Sequence, residues 1–147
     1  MKDIKYRYEH TLGFSEFRNS TGMHFRILQD GTPYSIENDN VMVNLFMGNI
    51  FDEAISNIYI RIFKSDEIIS TPMLSKSSKF AISTDDKAYI LKGSFEGLDY
   101  SLTFRLSENT GTWFWTAAVE NKGADVEVDF IYVQDAAVAA KGAPLNN

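Results

Sequence analysis

Apolar and polar residues alternate in the second half of this chain. In residues 98–106 every second position is apolar, and the positions between them carry mostly Ser, Thr, Asp or Arg. Residues 126–132 repeat the pattern with acidic residues as the polar partners. The apolar positions are Tyr100, Leu102, Phe104 and Leu106 in the first segment, and Val126, Val128, Phe130 and Tyr132 in the second. A period of two is typical of strands with one buried face, so both segments are predicted to be β-strands.

Turn residues separate these segments from further strands. Asp30-Gly31 and Glu96-Gly97 are each flanked by alternating residues and predict tight hairpin turns. Residues 112–133 likewise predict a hairpin that turns at residues 121–123. Pro33 lacks a backbone N–H, which favours an edge position for the strand that begins there.

The whole pattern predicts an all-β protein, an antiparallel β-sandwich of about nine short strands without a long helix. Residues 1–21 look polar and irregular, and residues 45–54 fit either a loop or a helical turn. The sandwich is expected to occupy residues 1–133. Aromatic residues then stop and alanine dominates residues 134–147, which indicates a tail that leads out of a truncated sandwich.

Charge and composition exclude several classes of function. The 147 residues carry a net charge of −6, which disfavours nucleic acid and anionic membranes as partners. There is no cysteine, so disulfides and thiolate metal sites are ruled out. The first ten residues contain no apolar leader, and no apolar run is long enough to span a bilayer, so a cytoplasmic protein is expected.

Trp113 and Trp115 are the candidate ligand-binding residues. Because they are two positions apart on a strand, both indoles face the same way and could stack against sugar rings. The same face continues through Ala117 and Val119, which favours packing in the core instead. On the core interpretation, replacing Trp113 with alanine should cost about 3–5 kcal/mol.

No catalytic, cofactor or metal site is predicted within this chain. His10 and His24 lack ligand spacing and are expected to be surface or hydrogen-bonded histidines. The acidic pairs 52–53 and 85–86 fall in predicted loops and are expected to be solvated turn residues rather than a glycosidase dyad.

Several segments resemble the start of β-1,2-oligoglucan phosphorylases. These are residues 30–31 with the strand that follows, 40–49, 56–62 and 131–147. The last segment, which contains Gln134-Asp135, is similar to the string that ends the first β-sandwich in glycoside hydrolase family 94. Where that string reads Leu-Gly-Leu, this chain has Ala136, Ala137 and Val138.

The resemblance implies a noncatalytic N-terminal sandwich, of the galactose mutarotase-like supersandwich type, that packs on an (α/α)6 catalytic barrel. The implied parent enzyme is a dimer that cleaves β-1,2-glucans with inorganic phosphate as co-substrate and releases α-glucose 1-phosphate. No residue of this chain inherits a catalytic role, and a glucan synthase parent also fits. The alternative is a free-standing carbohydrate-binding or interaction sandwich.

Overall fold

The structure, a computed structural model, describes residues 13–52, 54–74, 80–84 and 87–141. These residues form twelve strands and no helix. The strands are β1 (Phe14–Arg18), β2 (Met23–Leu28), β3 (Pro33–Asn38), β4 (Val41–Met42), β5 (Asn57–Phe63), β6 (Ile68–Pro72), β7 (Phe80–Thr84), β8 (Tyr89–Phe95), β9 (Leu98–Leu106), β10 (Trp113–Asn121), β11 (Glu127–Val133) and β12 (Ala139–Ala140). Within this part of the chain no helix could cross a membrane.

The strands form three antiparallel sheets. The first sheet has the order β1-β2-β3-β4-β12, the second β10-β9-β8-β7 and the third β11-β5-β6. Every strand pairing is antiparallel. The prediction of an all-β antiparallel sandwich is therefore confirmed.

Aromatic and branched aliphatic side chains from all three sheets meet in one core. Phe25 of β2 lies 4.4 Å from Phe104 of β9, measured between ring centroids, and Phe17 of β1 lies 5.1 Å from Phe104 on another side. The third sheet adds the inward row of β5, which consists of Ile58, Ile60 and Ile62. This shared core holds the sheets together through the burial of apolar surface.

The start of the chain is more regular than its sequence suggests. Residues 14–18, expected to be irregular, form β1 and pair along their whole length with β2. The segment FSEFR does not alternate cleanly, so its strand pattern is weak. The burial of Phe17 against Phe104 supplies tertiary packing that the local pattern does not reveal.

The two tight turns are confirmed, but the edge position of Pro33 is wrong. Gly31 adopts a φ of 82° between β2 and β3, and Gly97 adopts a φ of 84° between β8 and β9. Pro33 begins β3, which lies between β2 and β4. The register shifts between Arg26 and Ile27 beside it, and an irregular strand start of this kind tolerates the missing N–H.

The predicted hairpin over residues 112–133 is also wrong. β10 pairs with β9, whereas β11 pairs with β5 in a different sheet. Both strands have one apolar face, and pairing them with each other would not place those faces on opposite sides of a core. By crossing between sheets, the chain turns the apolar rows of β10 and β11 toward each other.

Residues 134–141 follow the edge of the first sheet. Ala139 and Ala140 pair with Met42 and Val41, and the backbone N–H of Ala137 donates to the carbonyl of Val43 at 2.9 Å. The Lys141 ammonium forms an ion pair with Glu37 of β3. The described part of the tail is thus a short edge strand whose alanine side chains are exposed.

Candidate functional site

Strand register places both tryptophans on the inner face of the second sheet. Trp115 is opposite Phe104 and Trp113 is opposite Leu106. Their rings contact the core, with Trp115 5.1 Å from Phe104 and Trp113 5.9 Å from Phe25 between centroids. Both side chains are only half-buried, so they have features of each of the two predicted roles.

The exposed parts of these indoles line a cleft between β10 and β11. The third sheet contributes Phe130 and Tyr132, which lie opposite the buried Ile60 and Ile58 and therefore also point inward. The cleft has a volume of about 390 Å³ and is lined by Ile58, Leu102, Trp113, Phe114, Trp115, Ala117, Phe130 and Tyr132. It is an apolar, aromatic opening at the side of the sandwich, which we call the aromatic cleft.

A chain of hydrogen bonds closes one end of the aromatic cleft. The indole N–H of Trp113 donates to the hydroxyl of Tyr132 at 3.2 Å. That hydroxyl donates to Oε1 of Gln134 at 2.6 Å, and Nε2 of Gln134 donates to Oγ of Ser56 at 3.0 Å. Burial raises the pKa of the Tyr132 hydroxyl above its ordinary value.

Asp135 fastens the end of β11 to the loop between β4 and β5. Its Oδ2 accepts the backbone N–H groups of Leu45 at 2.8 Å and Phe46 at 3.0 Å. Its Oδ1 accepts the hydroxyl of Ser56. Gln134 and Asp135 therefore tie the end of β11 to the loop between β4 and β5, through Ser56 and through the backbone of Leu45 and Phe46. We call this pair of residues the bracket.

The bracketed loop carries a group of exposed apolar side chains, which we call the loop patch. Its members are Leu45, Phe46, Met47, Phe51 and Ile55, and each is about half exposed or more. Phe46, Met47 and Ile55 also line a second cavity of about 290 Å³ beside Asp135. Exposed apolar patches are a feature that interaction surfaces share.

An ion-pair cluster with a buried carboxylate lies on the first sheet. The Glu37 carboxylate, with 3% of its side chain exposed, pairs with both Arg26 and Lys141. Burial alone would raise the pKa of Glu37, but the hydrogen bonds from Lys141 and Arg26 outweigh it and lower the pKa to about 2. The cluster borders a polar pocket of about 630 Å³ and is fully paired, so it acts as structural support.

The remaining sequence candidates lie in ordinary surroundings. His24 is mostly buried, and its Nε2 lies 3.0 Å from the Glu16 carboxylate; burial lowers its pKa against the opposing hydrogen bond. Asp52 is exposed and accepts a hydrogen bond from Asn49 at 3.1 Å. His10, Glu53, Asp85 and Asp86 lie outside the described residues. No cluster suited to a metal ion occurs in the parts of the chain that the structure covers.

Comparison with known proteins identifies the family. Residues 26–147 match the family described as "SOGP N-terminal domain". The chain belongs to this family. The matched residues include those that form the aromatic cleft, the loop patch and the bracket of Gln134 and Asp135.

A curated relative gives the family a more specific context. The 1,2-beta-oligoglucan phosphorylase of Listeria innocua serovar 6a is 27% identical over 108 residues. The alignment covers 74% of this chain and 9% of that enzyme. The chain therefore corresponds to a small part of its relative's length.

The sequence pattern points to the two tryptophans but not to the residues that line the cleft with them. Phe130 and Tyr132 were placed on the correct face of their strand, yet the hairpin prediction would have put them beside β10 rather than across from it. Gln134 and Asp135 are predicted only as the start of the tail and as part of the family resemblance. Their only sequence signal is a pair of polar residues directly after a strongly apolar strand. The hydrogen bonds of this pair can be predicted only when the segment to which it binds is known.

Proposed function

We propose that this chain is the noncatalytic N-terminal sandwich of a cytoplasmic glycoside phosphorylase of glycoside hydrolase family 94 that acts on β-1,2-glucans. The proposal rests on membership of the SOGP N-terminal domain family and on the likeness to a 1,2-beta-oligoglucan phosphorylase. Its role is to support the packing and oligomerisation of a catalytic barrel. The chemistry belongs to the parent enzyme.

The loop patch is the observation that supports a packing role. Phe46 is 55% exposed and Phe51 is 63% exposed, although both are large aromatic residues. The Asp135 bracket holds the backbone at Phe46, so this surface is presented in a fixed position. A fixed apolar surface loses little conformational entropy when a second domain docks on it.

In the parent enzyme, inorganic phosphate would take the place of water as the nucleophile. An inverting hydrolase needs a general acid and a general base, whereas a phosphorylase needs only the acid, because phosphate is already a competent nucleophile. The products would be α-glucose 1-phosphate and a glucan shortened by one unit. A sandwich that positions the barrel can affect this reaction without touching the substrate.

Charge substitutions in the loop patch test the proposal. In the longest natural polypeptide that carries this sandwich, F46D combined with F51D should disrupt domain packing and lower the formation of α-glucose 1-phosphate from linear β-1,2-glucan and phosphate. The matched control is I68D on β6, because Ile68 is 58% exposed and pairs at the opposite end of β5 from Ser56. Full activity of the double variant would reject the packing role, and no phosphorolysis by the unsubstituted polypeptide would reject the phosphorylase assignment.

A free-standing carbohydrate-binding sandwich is the second candidate, and the half-exposed Trp113 and Trp115 favour it. Against it, Trp113 Nε1 and the Tyr132 hydroxyl are already hydrogen bonded to protein groups. Calorimetric titration of the 147-residue chain with linear β-1,2-glucan distinguishes the two functions. Saturable binding that is lost in W115A would support the second candidate.

A further inference from the structure

Residues 136–141, which we call the strap, lie along the edge of the first sheet with little apolar packing. The side chains of Ala136, Ala139 and Ala140 are exposed, and Val138 is 71% exposed. The pairing with β4 extends over two residues of the strap, Ala139 and Ala140. Segments with few buried apolar contacts open locally at a lower free energy than the core, so the strap is a low-stability part of the described chain.

The strap is fastened at both ends. Directly before it, Asp135 is bonded to the loop between β4 and β5 as part of the bracket. At the other end the backbone N–H of Lys141 donates to the carbonyl of Asn40 at 2.6 Å, and the Lys141 ammonium pairs with the Glu37 carboxylate. Lys141 is the one charged residue of the strap, so this ion pair is its charge-assisted contact with the sheet.

The two partners of this ion pair differ in their exposure. The Glu37 side chain is 3% exposed and is held from the other side by Arg26. The Lys141 side chain is 48% exposed, so its ammonium can move into solvent when the pair breaks. A buried carboxylate interacts with its cation more strongly than an exposed one, because water screens the pair less. The contact is therefore strong enough to matter and is still able to open.

Strain in the backbone opposes the fastening. Val138 has a φ of 50°, in the left-handed region where a β-branched residue is an outlier. Strain of this kind persists only where the surrounding contacts enforce it. The enforcing contacts lie on either side of Val138: the N–H of Ala137 donates to the carbonyl of Val43 at 2.9 Å, and Ala139 pairs with Met42. Detachment of the strap from β4 removes these contacts and relieves the strain.

We propose that the strap is a two-state latch. The ion pair between Lys141 and Glu37 holds residues 136–141 on the first sheet against the strain at Val138, and loss of the pair releases them while the sandwich stays folded. In the fastened state Lys141 is fixed beside the turn between β3 and β4; in the released state the bracket at Asp135 is the last attachment of this part of the chain. The latch is a property of the sandwich itself, and only its consequence for domain placement in a parent enzyme rests on the proposed function.

Hydrogen exchange followed by mass spectrometry tests the latch in the longest natural polypeptide that carries this sandwich. The amides of residues 137–141 report opening of the strap, and those of β5 report global unfolding. K141M removes the ammonium but keeps most of the length of the side chain, and it should speed exchange in the strap about tenfold without changing β5. The matched control is K122M, because Lys122 forms an ion pair with Asp99 in which both side chains are exposed. It should leave the strap unchanged.

A double variant identifies the partner of Lys141. E37Q removes the carboxylate charge, so K141M added to E37Q should speed exchange in the strap by no more than about twofold. A tenfold effect of K141M in both backgrounds would show that Lys141 acts through another contact and would overturn the proposal.

Two glycine substitutions test the strain. V138G relieves the left-handed φ and should slow exchange in the strap about fivefold. A139G places glycine at a neighbouring position in β12, whose φ is not positive, and should speed exchange because glycine adds freedom to the released state. Opposite signs for these two variants are expected of a strained latch and not of a frayed chain end.

Three further results would overturn the proposal. Unchanged exchange in the strap of K141M would show that the ion pair does not hold it. Equal acceleration of the strap and β5 in K141M would show that the strap opens only with the whole sandwich. Faster exchange in V138G would show that no strain is released when the strap opens. None of these readouts requires phosphorolysis, so the latch and the proposed function fail separately.

Discussion

At the scale of single residues, Trp113 shows how one side chain joins the core to the surface. Its ring contacts Phe25, while its N–H begins the hydrogen-bond chain that passes through Tyr132 to Gln134. The sequence pattern leaves core packing and ligand contact as alternatives for this residue. The structure shows an inward-facing indole in a sandwich that is open at that side, so a period-two pattern alone does not distinguish the two roles.

Replacing Trp113 separates its packing from its hydrogen bond. W113A should lower the free energy of unfolding by about 3 kcal/mol, at the low end for an aromatic residue because the ring is only half-buried. W113F keeps most of the packing but loses the bond to Tyr132, so about 1 kcal/mol is expected. Urea unfolding followed by circular dichroism measures both values, and equal losses would show that the hydrogen bond dominates.

Asp135 is expected to matter more than its exposed surroundings suggest. D135A removes the acceptor of the exposed N–H groups of Leu45 and Phe46, which water can then bond, so a loss of about 1 kcal/mol is expected. D135N retains one carbonyl oxygen and should cost less. Hydrogen exchange should show faster exchange at residues 45–46 in D135A, and unchanged protection there would contradict the bracket.

At the scale of elements, the turn of the β8–β9 hairpin holds Glu96 in a backbone conformation that is unfavourable for glutamate. Glu96 has a φ of 51° and Gly97 a φ of 84°, so both central residues of the two-residue turn are left-handed. This geometry favours Asn-Gly, and glutamate is a poor occupant of the first position. The Lys64 ammonium lies 3.1 Å from the Glu96 carboxylate, but an exposed pair of this kind contributes little.

E96N should therefore stabilise the protein. The expected gain is about 0.5 kcal/mol from relief of backbone strain. G97A is the opposite test: a Cβ there meets no neighbour within 4 Å, so any loss reports the φ alone, and about 1 kcal/mol is expected. Thermal unfolding of both variants measures the difference, and a destabilised E96N would assign more weight to the pair with Lys64.

The strands were easier to predict than their partners. Alternation in residues 98–106 and turn residues at 30–31 and 96–97 correctly gave strands and hairpins, because those signals are local. Residues 121–127 cross from the second sheet to the third. This crossing depends on where the apolar faces of β10 and β11 pack, and the whole fold determines that. β1 was missed for the same reason, since Phe17 is buried by a contact with Phe104, 87 positions away along the chain.

At the scale of the whole molecule, Glu37 joins the first sheet to the end of the described chain. Its carboxylate pairs with Arg26 on the neighbouring strand and with Lys141, 104 positions later. Because the pKa of Glu37 is about 2 when folded and 4.5 in the reference state, folding favours its charged form. This contribution to stability is complete above pH 4.5 and is lost as the pH falls toward 2.

The pH dependence of unfolding should therefore contain a contribution from Glu37. The difference between 4.5 and about 2 corresponds to roughly 3 kcal/mol. E37Q should be less stable at pH 7, and its stability should fall less steeply between pH 4.5 and 2. Urea unfolding across this range compares the two proteins, and parallel slopes would show that Glu37 is not preferentially charged in the folded state.

The short pairing of β12 with β4 has a consequence for synthesis on the ribosome. β4 is translated long before residues 137–141, so the first sheet emerges with one edge open and remains so until almost the whole described chain has been made. Closing such a long loop is slow compared with hairpin formation. Because β4 has only two residues, the nascent chain exposes little edge to its neighbours on a crowded polysome during this wait.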